Sequence, residues 1–319
     1  MKRHIRSIIG LIIAIFLIGL IFQKTDGIQL IAAMKSSNPL WLLAGLIIFS
    51  IGLVGRAARW SSMLRTSSPN ATPRACLQPF LSSLALNNIL PFRAGDLART
   101  FAFNKELGTG PGQVLASLLV ERLLDLASLL LFLALGLWAF DIHSLPTFGK
   151  VGASGAALIA LIIFVFLAFP RCLQIFINAC LRLIHKLAPN SGNHLADEVA
   201  DAIKLLATLG GRRILPLIAI SLIVWGLEGL TFWCVAQSVP GLINSAGAWF
   251  ALPLATLATL IPSTPGYVGT FDYFAILAMK LTNNDSVPAA AFALIAHLLI
   301  WLPPTLVGGI WLLISRKKS

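Results

Sequence analysis

The sequence predicts an all-α integral membrane protein with six full transmembrane helices and two Pro/Gly-broken re-entrant helical hairpins, arranged as two inverted repeats. Three observations predict it. Of 319 residues, 57% are hydrophobic and only 11% charged, against about 25% charged in a soluble domain, so the chain cannot cover a water-facing surface. Runs without a single charge extend over 8–22, 40–54, 156–169 and 214–225. They lack the alternation of an outer-membrane strand, so the backbone must satisfy its own N–H and C=O groups as helix.

The six spans are expected over 5–22, 40–58, 113–139, 151–169, 214–236 and 289–314, each close to the roughly 20 residues a bilayer needs. The first begins with Lys2, Arg3 and Arg6 and ends without a small-x-small cleavage site, at Gln23-Lys24-Thr25-Asp26. It reads as a retained anchor. Residues 76–104 and 246–281 are each two short apolar pieces broken by Pro and Gly. Hairpins that enter and leave by one face fit them, buried in protein or lining a cavity. In 171–210, Leu173, Ile177, Leu181, Ile184 and Leu187 recur at helical spacing around Arg182 and Lys186. This predicts a basic amphipathic helix on the cytoplasmic leaflet, a loop at 188–192 and a second interfacial helix over 195–209.

The net charge of +12 is explained by topology rather than by nucleic acid, which is not an expected partner. With the N-terminus inside, sixteen Lys and Arg fall on the cytoplasmic side and Lys24, Lys35, Lys150 and Lys280 outside, leaving Arg93, Arg99, Lys105 and Arg122 at membrane depth. The positive-inside rule then puts both termini in the cytoplasm, in a bacterial inner (plasma) membrane.

The chain reads as one membrane domain, 1–319, with a first half 1–145 and a second half 146–319. The hairpin cores 88–95 and 259–266 both carry Pro, three residues, then Gly. Three spans per half is an odd number, so the halves are inverted, the first hairpin opening from the cytoplasm and the second from outside. Interrupted segments at matching places of inverted halves point to a transport site.

Ionisable residues at membrane depth are costly and mark function. Arg56 and Arg59 end the second span at i, i+3. Arg93, Asp96 and Arg99 follow the Pro91 break at i, i+3, i+6. Glu121, Arg122 and Asp125 sit inside the third span, where Arg122 can pair with Asp125. Five arginines against three carboxylates predict surplus positive charge, and the planar guanidinium suits phosphate or carboxylate oxygens. The competing reading is that Glu121, Arg122 and Asp125 only lock helices together. In the second half, Glu228 lies mid-span, Asp272 follows the Gly266/Gly269 break and His297 lies in the last span, with packing against helix backbone the favoured role for His297. Trp41, Trp60, Trp138, Trp301 and Trp311 read as interfacial anchors or lipid-facing bulk. Cys76, Cys172, Cys180 and Cys234 have no metal-type spacing, so neither disulfide nor metal site is expected. There is no GxSxG, HExxH or Walker loop and no cofactor motif.

The segment Asn88-Ile89-Leu90-Pro91-Phe92-Arg93-Ala94-Gly95-Asp96-Leu97-Ala98-Arg99 resembles the N-x-x-P-x-R-x-G-[DE]-x-x-R mark of the lysylphosphatidylglycerol synthase transmembrane region, the flippase-like family. Arg56-x-x-Arg59-Trp60 and Glu121-Arg122-x-x-Asp125 are similar to its other first-half marks, and residues 261–269 resemble its P-x-x-P-G-G-x-G segment. Tyr267 replaces the usual second glycine, Asp272 stands where glutamate is common, and His297 where arginine often occurs. The charges at membrane depth and the resemblance together point to substrate-binding roles for Arg56, Arg59, Asn88, Arg93, Asp96, Arg99, Glu121, Arg122, Asp125, Glu228, Tyr267 and Asp272. Family members fused to an aminoacyl transferase make a lysyl-lipid that the membrane part translocates. This chain ends at Ser319 without one, so it resembles the stand-alone branch.

The leading expectation is a translocase for an anionic or zwitterionic lipid headgroup, with membrane lipids as partners, rather than an enzyme. Arg56, Arg59, Arg93 and Arg99 would receive the headgroup, and Glu228 and Asp272 would serve the outward half. The alternatives are a membrane-embedded transferase on a lipid-phosphate substrate, with Asp96 or Glu121 as base, and a non-transporting partner of a separately encoded lipid-synthesis enzyme.

Overall fold

The computed structural model describes residues 16–20, 26–90, 93–140, 146–169, 214–261 and 264–315. All regular structure among them is helical. The helices are α1 (Gly27–Lys35), α2 (Pro39–Leu64), α3 (Pro73–Ile89), α4 (Ala94–Ala102), α5 (Asn104–Leu107), α6 (Pro111–Ala139), α7 (Pro146–Ala168), α8 (Ile214–Ser238), α9 (Ala248–Ala258), α10 (Thr270–Leu281) and α11 (Ser286–Ser315). Short 3-10 turns cover Ser245–Gly247 and Pro265–Tyr267. The expected amphipathic helices over 171–210 and most of the first span lie outside the described residues.

Among the described residues, four helices are long and apolar enough to cross a membrane: Pro39–Leu64, Gly149–Ala168, Ile214–Ser238 and Ser286–Ile314. Only 28, 22, 44 and 44% of their most apolar windows is buried, so their leucines and isoleucines mostly face outward. Leu40, Ile51, Leu158, Ile223 and Leu306 are each more than half exposed, which only a lipid surround makes favourable. The fifth long helix, α6, covers the span expected over 113–139 but carries Glu121, Arg122 and Asp125 in its middle. It is tolerated there because those charges turn inward.

Helix α2 starts on an Asn38 cap, whose side chain accepts from Leu40 N–H at 2.9 Å, followed by Pro39 in the first turn. Its main partner is α8. Gly45 lies against Cys234 and the Thr231 carbonyl, Gly52 against Leu227 and Gly55 against Val224. Small residues along one face let two backbones approach where lipid gives no hydrophobic drive. This seam sets α8 beside Arg56 and Arg59. Helix α2 runs to Leu64, past the expected end at 58, so both arginines lie within the helix and not in a cytoplasmic loop.

Helices α3 and α4 form the first broken pair. Leu90 is extended and Arg93 left-handed, with φ 52°. Gly95 follows, and a Cβ there would lie 1.9 Å from the Ser83 carbonyl oxygen, so only glycine lets α4 fold back onto α3. Helices α9 and α10 form the second, with Gly266, Tyr267 and Gly269 at φ 72°, 61° and 86°. Tyr267 thus holds a left-handed backbone, which explains why a glycine suits that position: an L-residue there costs about 1–2 kcal/mol.

Helix α11 packs on α3 and α10. Gly308, behind Pro303 and Pro304 within the helix, meets α3 so closely that a Cβ would lie 2.1 Å from the Leu81 carbonyl oxygen, whereas one on Gly309 meets nothing within 4 Å. Gly308→Ala is therefore expected to destabilise by about 1–3 kcal/mol through overpacking. Gly309→Ala should be neutral or stabilise by up to about 1 kcal/mol. Denaturant titration in detergent separates the two neighbours.

Candidate functional site

The first-half charges are drawn into ion pairs between helices. Arg59, 1% exposed, donates to Asp125 Oδ1 at 2.8 Å and to Ser221 Oγ at 2.7 Å, joining α2, α6 and α8. Arg99, also 1% exposed, reaches Glu121 at 3.0 Å while its guanidinium lies 4.6 Å from the Trp60 ring centre and 5.4 Å from that of Phe80. Asp96 binds Arg122 at 2.9 Å and accepts from Asn87 Nδ2 at 2.9 Å. Arg122 also lies 4.0 Å from Asp125, the i, i+3 pairing expected from spacing. Arg56 pairs with Glu228 on α8 and its guanidinium lies 4.6 Å from the Trp225 ring centre.

Among the described residues, the surplus cations expected from the sequence reduce to one. Four arginines each find a carboxylate, because Glu228 comes from the second half and Asp96 from the α4 turn. Arg93 makes no ion pair among the described residues. It lines a cavity of about 180 Å³ together with Arg56, Asn87, Asn88, Arg122, Glu228 and, from the second break, Gly266, Tyr267 and His297. Apolar side chains of α2, α10 and α11 complete the wall, Leu53, Phe271 and Ile300 among them. Arg59, Arg99, Glu121, Asp125, Asp96 and Asp272 are not in the lining: the first four pair with one another between helices, Asp96 pairs with Arg122, and Asp272 with His297.

The two breaks meet at this cavity. A Cβ on Gly266 would lie 3.5 Å from the Asn88 carbonyl oxygen and 2.8 Å from the Trp301 indole nitrogen. Asn88 Nδ2 in turn donates to Thr305 Oγ1 at 2.8 Å and to the Trp301 carbonyl at 3.3 Å. Asp272 receives Gly269 N–H at 2.8 Å on one oxygen and faces His297 Nδ1 at 2.7 Å with the other, while His297 Nε2 lies 2.8 Å from the Gly266 carbonyl. His297 does bond helix-break backbone, as expected, yet it also lines the cavity.

Two of the tryptophans differ from their expected place at a lipid interface. Trp301 lines the cavity, and its buried indole N–H has no acceptor among the described residues. Trp60 is fully buried and donates to Ser117 Oγ at 2.9 Å. Trp138, 78% exposed, is lipid-facing bulk. Asn87, Trp225 and Ser221 join the charge network without having been singled out from sequence. Only Asn87, half of a polar pair in an apolar run, carried a signal. Cys76 and Cys234 are buried free thiols, and no cluster of metal-ligating side chains occurs among the described residues.

A family model described as the lysylphosphatidylglycerol synthase TM region matches residues 7–308. Among known proteins, a UPF0104 membrane protein of Pyrococcus horikoshii is 23% identical over 99% of this chain and 98% of its own length. Another from Methanocaldococcus jannaschii is 23% identical over 100% and 98%. Glycosyltransferase AglD of Haloferax volcanii is 22% identical over 99% of this chain but only 55% of its own length.

Proposed function

Because the chain belongs to the lysylphosphatidylglycerol synthase TM region family, and is a multi-pass membrane protein, we propose that it is a lipid translocase. A polar headgroup passes through the cavity between the two broken helix pairs while the acyl chains stay in lipid. The observation that carries this reading is an arginine, Arg93, without an ion pair among the described residues, in a cavity walled by both breaks. Its left-handed backbone adds weight, since strain of this kind is kept where surrounding structure and function demand it.

Size supports the same guest. About 180 Å³ is room for a small hydrated polar group such as a phosphate, and far too little for acyl chains that reach across half of a bilayer core of about 30 Å. Chemistry narrows it further. Arg56 with Glu228 and Arg122 with Asp96 cancel in pairs, so Arg93 sets the sign and favours an anionic group. Here the roles expected for Arg59 and Arg99 pass to Arg93, Asn88 and Arg122. Glu228 serves the same cavity as Arg56 rather than a separate outward half. Six spans with two re-entrant hairpins, inverted halves at 1–145 and 146–319, and cytoplasmic termini complete the proposal, supported by matching helix–break–helix units that meet at one place.

The name of the Haloferax relative favours a second reading, a membrane-embedded transferase acting on a lipid-phosphate. One assay separates the two. Purified protein in vesicles is expected to move a labelled anionic lipid between leaflets with its chemical identity unchanged. A new lipid species in the extract would replace the translocase with the enzyme. Neither flipping nor conversion, with retained binding to a lipid-synthesis enzyme, would leave the scaffold.

A further inference from the structure

Both ring nitrogens of His297 face acceptors. Nε2 lies 2.8 Å from the Gly266 carbonyl oxygen and Nδ1 2.7 Å from Asp272 Oδ1. A carbonyl oxygen only accepts, so Nε2 carries a hydrogen. A neutral imidazole would then present a bare Nδ1 to a carboxylate, lone pair against lone pair. The contact becomes a hydrogen bond only if the pair holds one further proton, either as imidazolium with carboxylate or as neutral imidazole with carboxylic acid. Water cannot come between the two atoms at 2.7 Å, and the Phe271 ring covers the imidazole with its centre 4.8 Å from that of the ring.

We infer that His297 and Asp272 form a proton-binding site that holds the second break closed and couples proton movement to headgroup movement. The bridge runs from the Gly266 carbonyl through His297 and Asp272 to the Gly269 N–H. It therefore ties together the two ends of the turn. When the proton leaves through the cavity that His297 lines, Nδ1 and Oδ1 repel. One side chain must turn away, and either the Gly266 or the Gly269 bond goes with it. Gly266 abuts Asn88 and Trp301, so the loosening reaches the wall of the headgroup cavity directly.

The other charged groups around this site fix the sign of the coupling. Arg56 from α2 and Glu228 from α8 cancel, as do Arg122 from α6 and Asp96 from α4. Tyr267 lines the cavity from the turn, and the polar side chains brought to it by α3 and by α9 with its cap are the uncharged Asn87, Asn88, Thr256 and Thr259. Among the described residues, Arg93 is left as the unpaired fixed cation. With its proton the His297–Asp272 pair is neutral, and without it the pair is an anion that offsets Arg93. An anionic headgroup and a proton therefore bind together and leave together, one for one. No other reactant is needed.

The coupling rests on the translocase reading; the proton site does not, and two measurements keep them apart. In nanodiscs, protein labelled with 15N-histidine is expected to show one ring, absent in His297→Gln, with Nε2 protonated and Nδ1 sharing a proton that is lost in a single step as the pH is raised. That step should vanish in Asp272→Asn. A ring with a bare, non-hydrogen-bonded Nδ1 across the whole range would overturn the site. In vesicles clamped at zero potential, a gradient of one pH unit is expected to bias an anionic lipid about tenfold toward the alkaline leaflet, and His297→Arg, a fixed cation, should abolish the bias. Flipping with no bias in the wild-type protein overturns the coupling and leaves the translocase standing. No flipping at all removes both, and the resonance still decides the proton site.

Discussion

Glu121→Ala is expected to destabilise the protein by about 3–5 kcal/mol, because it strands a guanidinium in a dry helix contact. Arg99 is 1% exposed, its Nε already lacks a partner among the described residues, and Glu121 is the carboxylate it binds. Breaking one side of a buried pair costs this much since the remaining charge cannot rehydrate. Removing both sides does not. Arg99→Met with Glu121→Leu should recover most of the lost stability, because apolar side chains of similar volume replace a buried pair at little cost or with a gain. The double variant also decides a question the sequence left open, whether Glu121 locks helices or meets substrate. Thermal unfolding in detergent, followed by vesicle transport, checks both. A double variant that folds and transports shows a clamp, and one that folds without transporting returns Glu121 to the substrate.

Arg93→Ala is expected to give the opposite pattern: stability within about 0.5 kcal/mol of the parent and transport lowered tenfold to a hundredfold. No ion pair is lost among the described residues, so the fold has little to miss. A charge-assisted hydrogen bond to an anionic headgroup contributes about 1.5–3 kcal/mol, which gives roughly that factor in binding. Arg93→Lys should keep part of the activity, having the charge but not the planar fork. Normal flipping by the alanine variant would remove the headgroup from this cavity.

The membrane class was legible from composition, because lipid-facing helices leave charge-free runs no other fold tolerates. The breaks were legible too. The positive φ at Gly266 and Gly269 and the tight contact at Gly95 are what Pro-x-x-x-Gly spacing in apolar segments encodes. Pairing was not legible. Arg56 and Glu228 are 172 positions apart, and their meeting depends on the glycine seam between α2 and α8, which brings a second-half carboxylate into a first-half site. Local counting of arginines against carboxylates therefore overstated the free charge. His297 shows the same limit: an isolated histidine in an apolar helix looks like packing until the turn and Asp272 converge on it.

The junction between the two broken segments is made largely of main chain, the Asn88 carbonyl on one side and Gly266 on the other. Main-chain contacts do not depend on which side chains surround them. Selection can thus exchange the residues that greet a guest, tuning one protein for a phosphate and another for a sugar-bearing or amine-bearing group, without re-engineering the hinge.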